Sequence, residues 1–173
     1  MFDSNFNIIS GDRGVGRSEF LFQIGLYLRD NGLKTIFYGA TDQYNFSNIK
    51  TPFDLTFFYR HNDDRVTKNI KEISDKNLYD YIFIDDIDFI SQNHIDILSE
   101  TKAKKICTCL IGKIPNNISK FKLYKMYRDV NFTNKGYSSD ILIEIDDVKI
   151  RTQDFFKIFD RNQKINSIIK NEK

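Results

Sequence analysis

The segment that most constrains this chain is Gly11-Asp12-Arg13-Gly14-Val15-Gly16-Arg17-Ser18. It follows a short apolar run, Phe6-Asn7-Ile8-Ile9, which reads as a buried strand. It opens a helical pattern in which Leu21, Ile24 and Leu28 share one face, and Asn31-Gly32 supplies a C-terminal stop. Glycines between a strand and a helix let the backbone curl, so that successive N–H groups point inward at an anion. The helix beginning near Ser18 adds the positive end of its dipole. A lone glycine-rich turn between strand and helix is the plainer reading, but it leaves the cation at Arg17 and the hydroxyl at Ser18 without a purpose.

The rest of the chain alternates in the same way. Thr35 to Tyr38 and Leu55 to Tyr59 read as strands. Asp63 to Asn77 reads as a helix with Val66, Ile70 and Ile73 on one face and Asn62 as N-cap. Tyr81-Ile82-Phe83-Ile84 is a strand running into Asp85-Asp86, with Asp88 on the next turn. His94 to Thr101 looks helical, and Ile106 to Ile111 is a further strand. Ser119 to Val130 is basic and aromatic and fits a helix, while Ile141 to Ile145, Val148 to Arg151 and Phe155 to Phe159 read as closing strands. Strands alternating with helices, then strands alone, predict an α/β fold: a mainly parallel central sheet flanked by helices, with antiparallel C-terminal strands. At 173 residues without repeats or linkers, residues 1–173 are expected to form a single domain.

Composition narrows the setting. With 40% hydrophobic and 29% charged residues the chain has enough apolar surface for a core, which excludes a disordered or collagen-like polymer. No apolar run approaches the ~20 residues of a membrane span, and Asp3-Ser4-Asn5 sits where a secretory signal would be basic, then apolar. Cys107 and Cys109, two apart on one strand, are poorly placed for a disulfide and lack a second pair for zinc. A soluble protein in a reducing cytoplasm, with no membrane partner, is the expectation. Richness in Ile, Asn and Lys, with alanine only at Ala40 and Ala103, accompanies AT-rich genomes such as those of many viruses and phages. Net charge is only +2, yet Thr101 to Lys135 holds nine basic residues against the single acid Asp129.

Gly11 to Ser18 resembles the Walker A motif of P-loop NTPases, G-x-x-x-x-G-K-[ST], with Arg17 in place of the lysine. The glycine spacing does not suit a Rossmann dinucleotide site. The resemblance implies that ATP is bound by Gly11, Asp12, Arg13, Gly14, Val15, Gly16, Arg17 and Ser18, with Glu19 next in the helix, and that Ser18 ligates Mg²⁺. Arginine is bulkier than lysine, planar and permanently charged, so phosphate binding is compatible with weakened hydrolysis. Tyr81 to Asp86 is similar to Walker B, an apolar strand delivering Asp85 to the metal, with Asp86 where many P-loop ATPases carry a catalytic glutamate. An acid capping a strand before a turn is the bland alternative.

Over most of the chain the order of elements is similar to the RecA/DnaB-like ATPase core. That likeness implies a catalytic acid after the second strand, where Asp42 is the candidate, and an arginine from the last strand reaching a neighbour's nucleotide, where Arg161 is the candidate. A solvated loop aspartate and a surface arginine are the competing readings. It further implies a nucleic-acid-binding segment in the basic region. Lys113, Lys120, Phe121, Lys122, Tyr124, Lys125 and Arg128 are its candidate residues, cations for phosphates and rings for unpaired bases, favouring single-stranded DNA. An ordinary helix with aromatics inside and lysines in water accounts for the same pattern.

Three functions follow for comparison. The first is a Mg²⁺-dependent ATPase acting on DNA (recombination, helicase-type or packaging), working as a homo-oligomer or with a partner ATPase subunit. The second is a nucleotide-binding scaffold or regulatory subunit with degenerate hydrolysis. The third is a nucleoside or nucleotide kinase, against which stands the absence of an arginine-rich lid segment.

Overall fold

The computed structural model describes residues 2–40, 52–59, 64–76, 78–133, 136–158 and 160. Asp42, Asn62 and Arg161 lie outside them. The chain runs β1 (Phe6–Gly11), α1 (Arg17–Asp30), β2 (Thr35–Ala40), β3 (Leu55–Tyr59), α2 (Asp64–Asp75), β4 (Tyr81–Ile84), α3 (Gln92–Ser99), β5 (Lys104–Cys109), β6 (Phe121–Thr133), β7 (Gly136–Ile145) and β8 (Val148–Arg151). Residues 152–158 follow as a helix. Among the described residues one sheet of eight strands results, in the order β3-β2-β4-β5-β1-β6-β7-β8. The first six in that order are mutually parallel, and β7 and β8 form an antiparallel edge.

Alternation along the central strands builds two cores. Ile8, Ile82, Ile84 and Cys107 face one side with Ile70 of α2 and with Ile95 and Leu98 of α3. Ile9, Phe83 and Ile106, their neighbours in sequence, face the other with Phe20, Leu21, Ile24 and Leu28 of α1. Strands with both faces covered have no reason to alternate with polar residues, which is why β1, β4 and β5 read as continuous apolar runs. Cys107 and Cys109 are buried and unbridged. No helix among the described residues is long and apolar enough to cross a membrane.

Two sequence expectations are corrected. Ser119 to Val130 is not a helix. Phe121 to Met126 pairs in parallel with Phe6 to Gly11, and Lys125 to Thr133 pairs with β7. Spacings of three in Phe121, Tyr124 and Tyr127 suggested a helical face. The side chains instead follow period two, with Tyr124 and Met126 in the α1-side core and Leu123 against the opposite one. Without β6, the edge of the loop-bearing β1 would lie open. Phe155 to Phe159, expected as a closing strand, is likewise corrected: residues 155–158 belong to the helix at 152–158, and Phe159 lies outside the described residues. Adjacent Phe155 and Phe156 can then both reach α1: Phe155 meets Phe20 edge-on at 5.1 Å and Phe156 stacks on Tyr27 at 4.9 Å.

Candidate functional site

The carboxyl ends of β1, β4 and β5 meet at one edge of the sheet. The turn from β1 into α1 holds Gly14 at φ 76° and Gly16 at φ 93°, left-handed values that glycine adopts without penalty. Gly11 has a different reason: a Cβ there would lie 2.8 Å from both the Met126 carbonyl oxygen and Val15 Cγ1. The helix takes Gly16 as its N-cap without a side-chain cap. Its Phe20 N–H reaches the Gly16 carbonyl at 2.9 Å, so the amides of the first turn before it have no intrahelical acceptor. The turn thus offers N–H groups and a dipole to an anion.

Asp85 and Asp86 arrive from β4. Ser18 Oγ lies 3.0 Å from Asp85 Oδ2 and 3.2 Å from Oδ1, linking the two motifs over 67 residues of sequence. Thr108 of β5 stands between them. Its hydroxyl donates to Asp85 Oδ1 and accepts the Asp86 N–H at 2.7 Å. Burial pushes the Asp85 carboxyl up to about 6; the bond from Thr108 opposes this, the charge of Asp86 adds to it, and the bond from Ser18 and the charge of Arg17 oppose it. Asp86 takes a left-handed backbone, φ 52° and ψ 58°, at a cost of about 1 kcal/mol for a residue with a Cβ. That turn brings its carboxylate back to the loop, with Oδ1 3.4 Å from Arg17 Nη2. Arg17 is 10% exposed, and its Nη1 is buried with no hydrogen-bond partner. Burial also raises the Asp88 carboxyl.

A buried guanidinium nitrogen without an acceptor, beside free helix amides, fits a phosphate group. Ser18 Oγ and an Asp85 oxygen are hard donors suited to Mg²⁺, which takes few protein ligands and fills its shell with water and phosphate oxygens. Among the described residues no cluster of three or more His, Cys, Asp or Glu side chains could hold a metal alone.

Gly11 to Ser18, Asp85 and Asp86 therefore come together. Asp12, Arg13 and Glu19 are exposed around the loop, and Glu19 accepts from Gln23 at 3.4 Å. Asp42 and Arg161 lie outside the described residues. The basic candidates do not form one patch. Phe121 pairs with Phe6 at the start of β1, so Lys120, Phe121 and Lys122 stand at the edge opposite the loop. Lys122 is paired with Asp146 at 3.7 Å and Lys125 with Glu144 at 3.2 Å. Tyr124 is fully buried against Phe2 and Phe155, which corrects its reading as a ring for base stacking. Lys113, just past the end of β5, and Arg128 stand at the loop's edge, and Arg128 Nη2 donates to the Gly14 carbonyl at 3.2 Å. Thr108 was missed in the sequence. Its only signal was a hydroxyl within the apolar run Ile106-Cys107-Thr108-Cys109.

No protein-family model matches the chain, and no curated protein sequence does. Solved structures do. The flagellar accessory protein FlaH from Methanocaldococcus jannaschii aligns with 15% identity and a TM-score of 0.54, over 81% of this chain and 76% of that one. The Legionella pneumophila ATPase DotB aligns with 11% identity and a TM-score of 0.50, over 82% of this chain and 45% of that one. At such identities the likeness is one of fold. Taken with the strand order, the loop between β1 and α1 and the acids ending β4, it shows that this chain has a P-loop NTPase fold.

Proposed function

We propose that the protein binds ATP with Mg²⁺ at the β1–α1 loop and hydrolyses it, in the manner of a RecA-like core. The observation that carries this is the Ser18–Asp85 contact at 3.0 Å beside the buried, unpartnered Arg17 Nη1. A hydroxyl and a carboxylate prepared for a metal and a guanidinium prepared for an anion are what a Mg²⁺·triphosphate needs together. When bound, Mg²⁺ neutralises the outer phosphates. Arg17 and the first-turn amides orient the phosphate chain, and Ser18 and Asp85 hold the metal. Asp86 accepts a proton from water at its carboxylate once Arg17 has turned to phosphate. Equilibrium binding of ATP with and without Mg²⁺, followed by turnover, tests the reading. Absence of nucleotide binding with Mg²⁺ present overturns it.

The substrate of the work is proposed to be DNA, single-stranded by preference, with a homo-oligomer or a partner ATPase subunit completing the assembly. Support comes from the cation excess of residues 101–135 and from Lys113 and Lys120, exposed and in no ion pair among the described residues. Titration with single-stranded DNA at low and high salt checks this. A scaffold with little hydrolysis is the second reading, favoured by the Arg17–Asp86 pair, which occupies both the cation and the acid. Turnover by the Arg17→Lys variant separates the two: a large gain marks a degenerate site, and a loss marks Arg17 as the working residue.

A further inference from the structure

Strand β6 parts from β1 beside the phosphate loop. Its last residue paired with β1 is Met126, opposite Gly11, and from Tyr127 to Thr133 it pairs with β7 alone. Arg128 is the second residue past that point. By strand parity it shares a face with Tyr124 and Met126, which are buried in the α1-side core, so its side chain stands on the face where the loop enters α1. Its guanidinium donates to Gly14 O. The residue opposite it on β7, Ile141, also rests on the loop, with Cδ1 3.6 Å from where a Gly16 Cβ would be. One cross-strand pair thus lies against both left-handed glycines of the loop, Gly14 and Gly16.

The charge around Arg128 is unbalanced. Lys122 and Lys125 of the same strand each have a carboxylate partner, whereas Arg128 has none among the described residues and is exposed. A guanidinium carries five N–H donors, and the Gly14 carbonyl takes one from Nη2. Gly14 leaves open space, with nothing within 4 Å of a Cβ built there. Arg17, the cation inside the loop, is already engaged with Asp86.

We propose that Arg128 is a second phosphate-binding residue of this chain's own nucleotide site, directed at the outermost phosphate of a nucleoside triphosphate. This rests on the nucleotide reading above. Arg17 grips the phosphate chain from inside the loop and Arg128 meets its end from outside. A diphosphate, lacking that end, does not engage it. The residue read from sequence as part of a nucleic-acid surface thereby belongs to the nucleotide.

The test compares a non-hydrolysable ATP analogue with ADP, both with Mg²⁺, on the wild type, Arg128→Ala and Arg128→Lys. Loss of charge-assisted hydrogen bonds predicts a roughly tenfold weaker triphosphate affinity for Arg128→Ala, with ADP within about twofold of wild type. Arg128→Lys keeps the charge without the planar fork and falls between. Equal losses for both nucleotides mean that Arg128 only props the loop, and overturn the inference. So does an unchanged triphosphate affinity, including the case in which single-stranded DNA binding alone is lost. If the wild type binds ADP but the Arg128 variants show no change of preference, the nucleotide reading survives and the inference fails. If the wild type binds neither nucleotide, both fail.

Discussion

Arg17 Nη2 and Asp86 Oδ1 face each other at 3.4 Å across the carboxyl edge of the sheet, with side chains 10% and 13% exposed. The cation that an incoming phosphate needs is thus held by an acid of the same chain. Binding must exchange one anion for another, and only the surplus appears as affinity. Asp86→Asn removes the competing charge and keeps the shape. Titration calorimetry is expected to show ADP·Mg²⁺ bound several-fold more tightly than by the wild type, about 1 kcal/mol. Turnover is expected to fall in the same variant, and an unchanged or weaker affinity contradicts the exchange.

Thr108 holds the acids in place through two bonds of its hydroxyl. Thr108→Val keeps the volume but leaves the buried Asp86 N–H without its acceptor and Asp85 with Ser18 as its one remaining side-chain donor among the described residues. Urea denaturation should show a loss of about 2–4 kcal/mol, together with weakened Mg²⁺-dependent nucleotide binding. Thr108→Ser restores the hydroxyl and should recover most of both. Failure of serine to rescue means that the methyl group, not the hydroxyl, matters.

Gly11 is confined by the Met126 carbonyl and Val15 rather than by its dihedral angles. Gly11→Ala is expected to force β6 away from β1 and to cost roughly 1–3 kcal/mol, measured as a lower denaturation midpoint. Gly14→Ala meets no neighbour, and its cost comes from the left-handed backbone alone, about 1 kcal/mol. A larger loss for Gly14→Ala than for Gly11→Ala contradicts this division.

At the opposite edge, Lys105 is fully buried, its ammonium donating to Asn5 Oδ1 and to the Thr101 carbonyl, both at 2.8 Å. Burial, with both of these acceptors uncharged, lowers it from 10.5 to about 8. The unfolded chain therefore holds this proton more tightly than the native one between pH 8 and 10.5. Native stability conferred at this site rises with pH across that window, by up to about 3 kcal/mol. Denaturation curves of wild type minus Lys105→Met, which has no titrating group, should show the rise. A flat difference from about pH 8 to about 10 rules it out.

What the sequence made legible was local. The β1–loop–α1 junction is written in the unbroken run Gly11 to Ser18, and Asp85 follows an apolar run that could only be a buried strand. What stayed hidden depends on partners distant in the chain. Tyr124 reads equally well as a ring for bases and as core until β6 is known to pair with β1, and pairing then turns it inward. Arg128 looked like one cation among nine because its contact with Gly14 joins residues 114 apart in sequence. Phe155 to Phe159 reads as a strand, although residues 155–158 are helical, because adjacent phenylalanines satisfy either pattern when the surface they cover is unseen.

Strand β5 carries Lys105 near its start and Thr108 near its end, on opposite faces, each with partners it can find in one place only. A slip of one residue would turn the ammonium toward α1 and the hydroxyl toward α3. The strand separating the loop from the acids is thus fastened like a keyed shaft. The gap between Ser18 and Asp85 is set by a rigid spacer, so a cation entering it must conform to the protein's dimensions rather than the reverse.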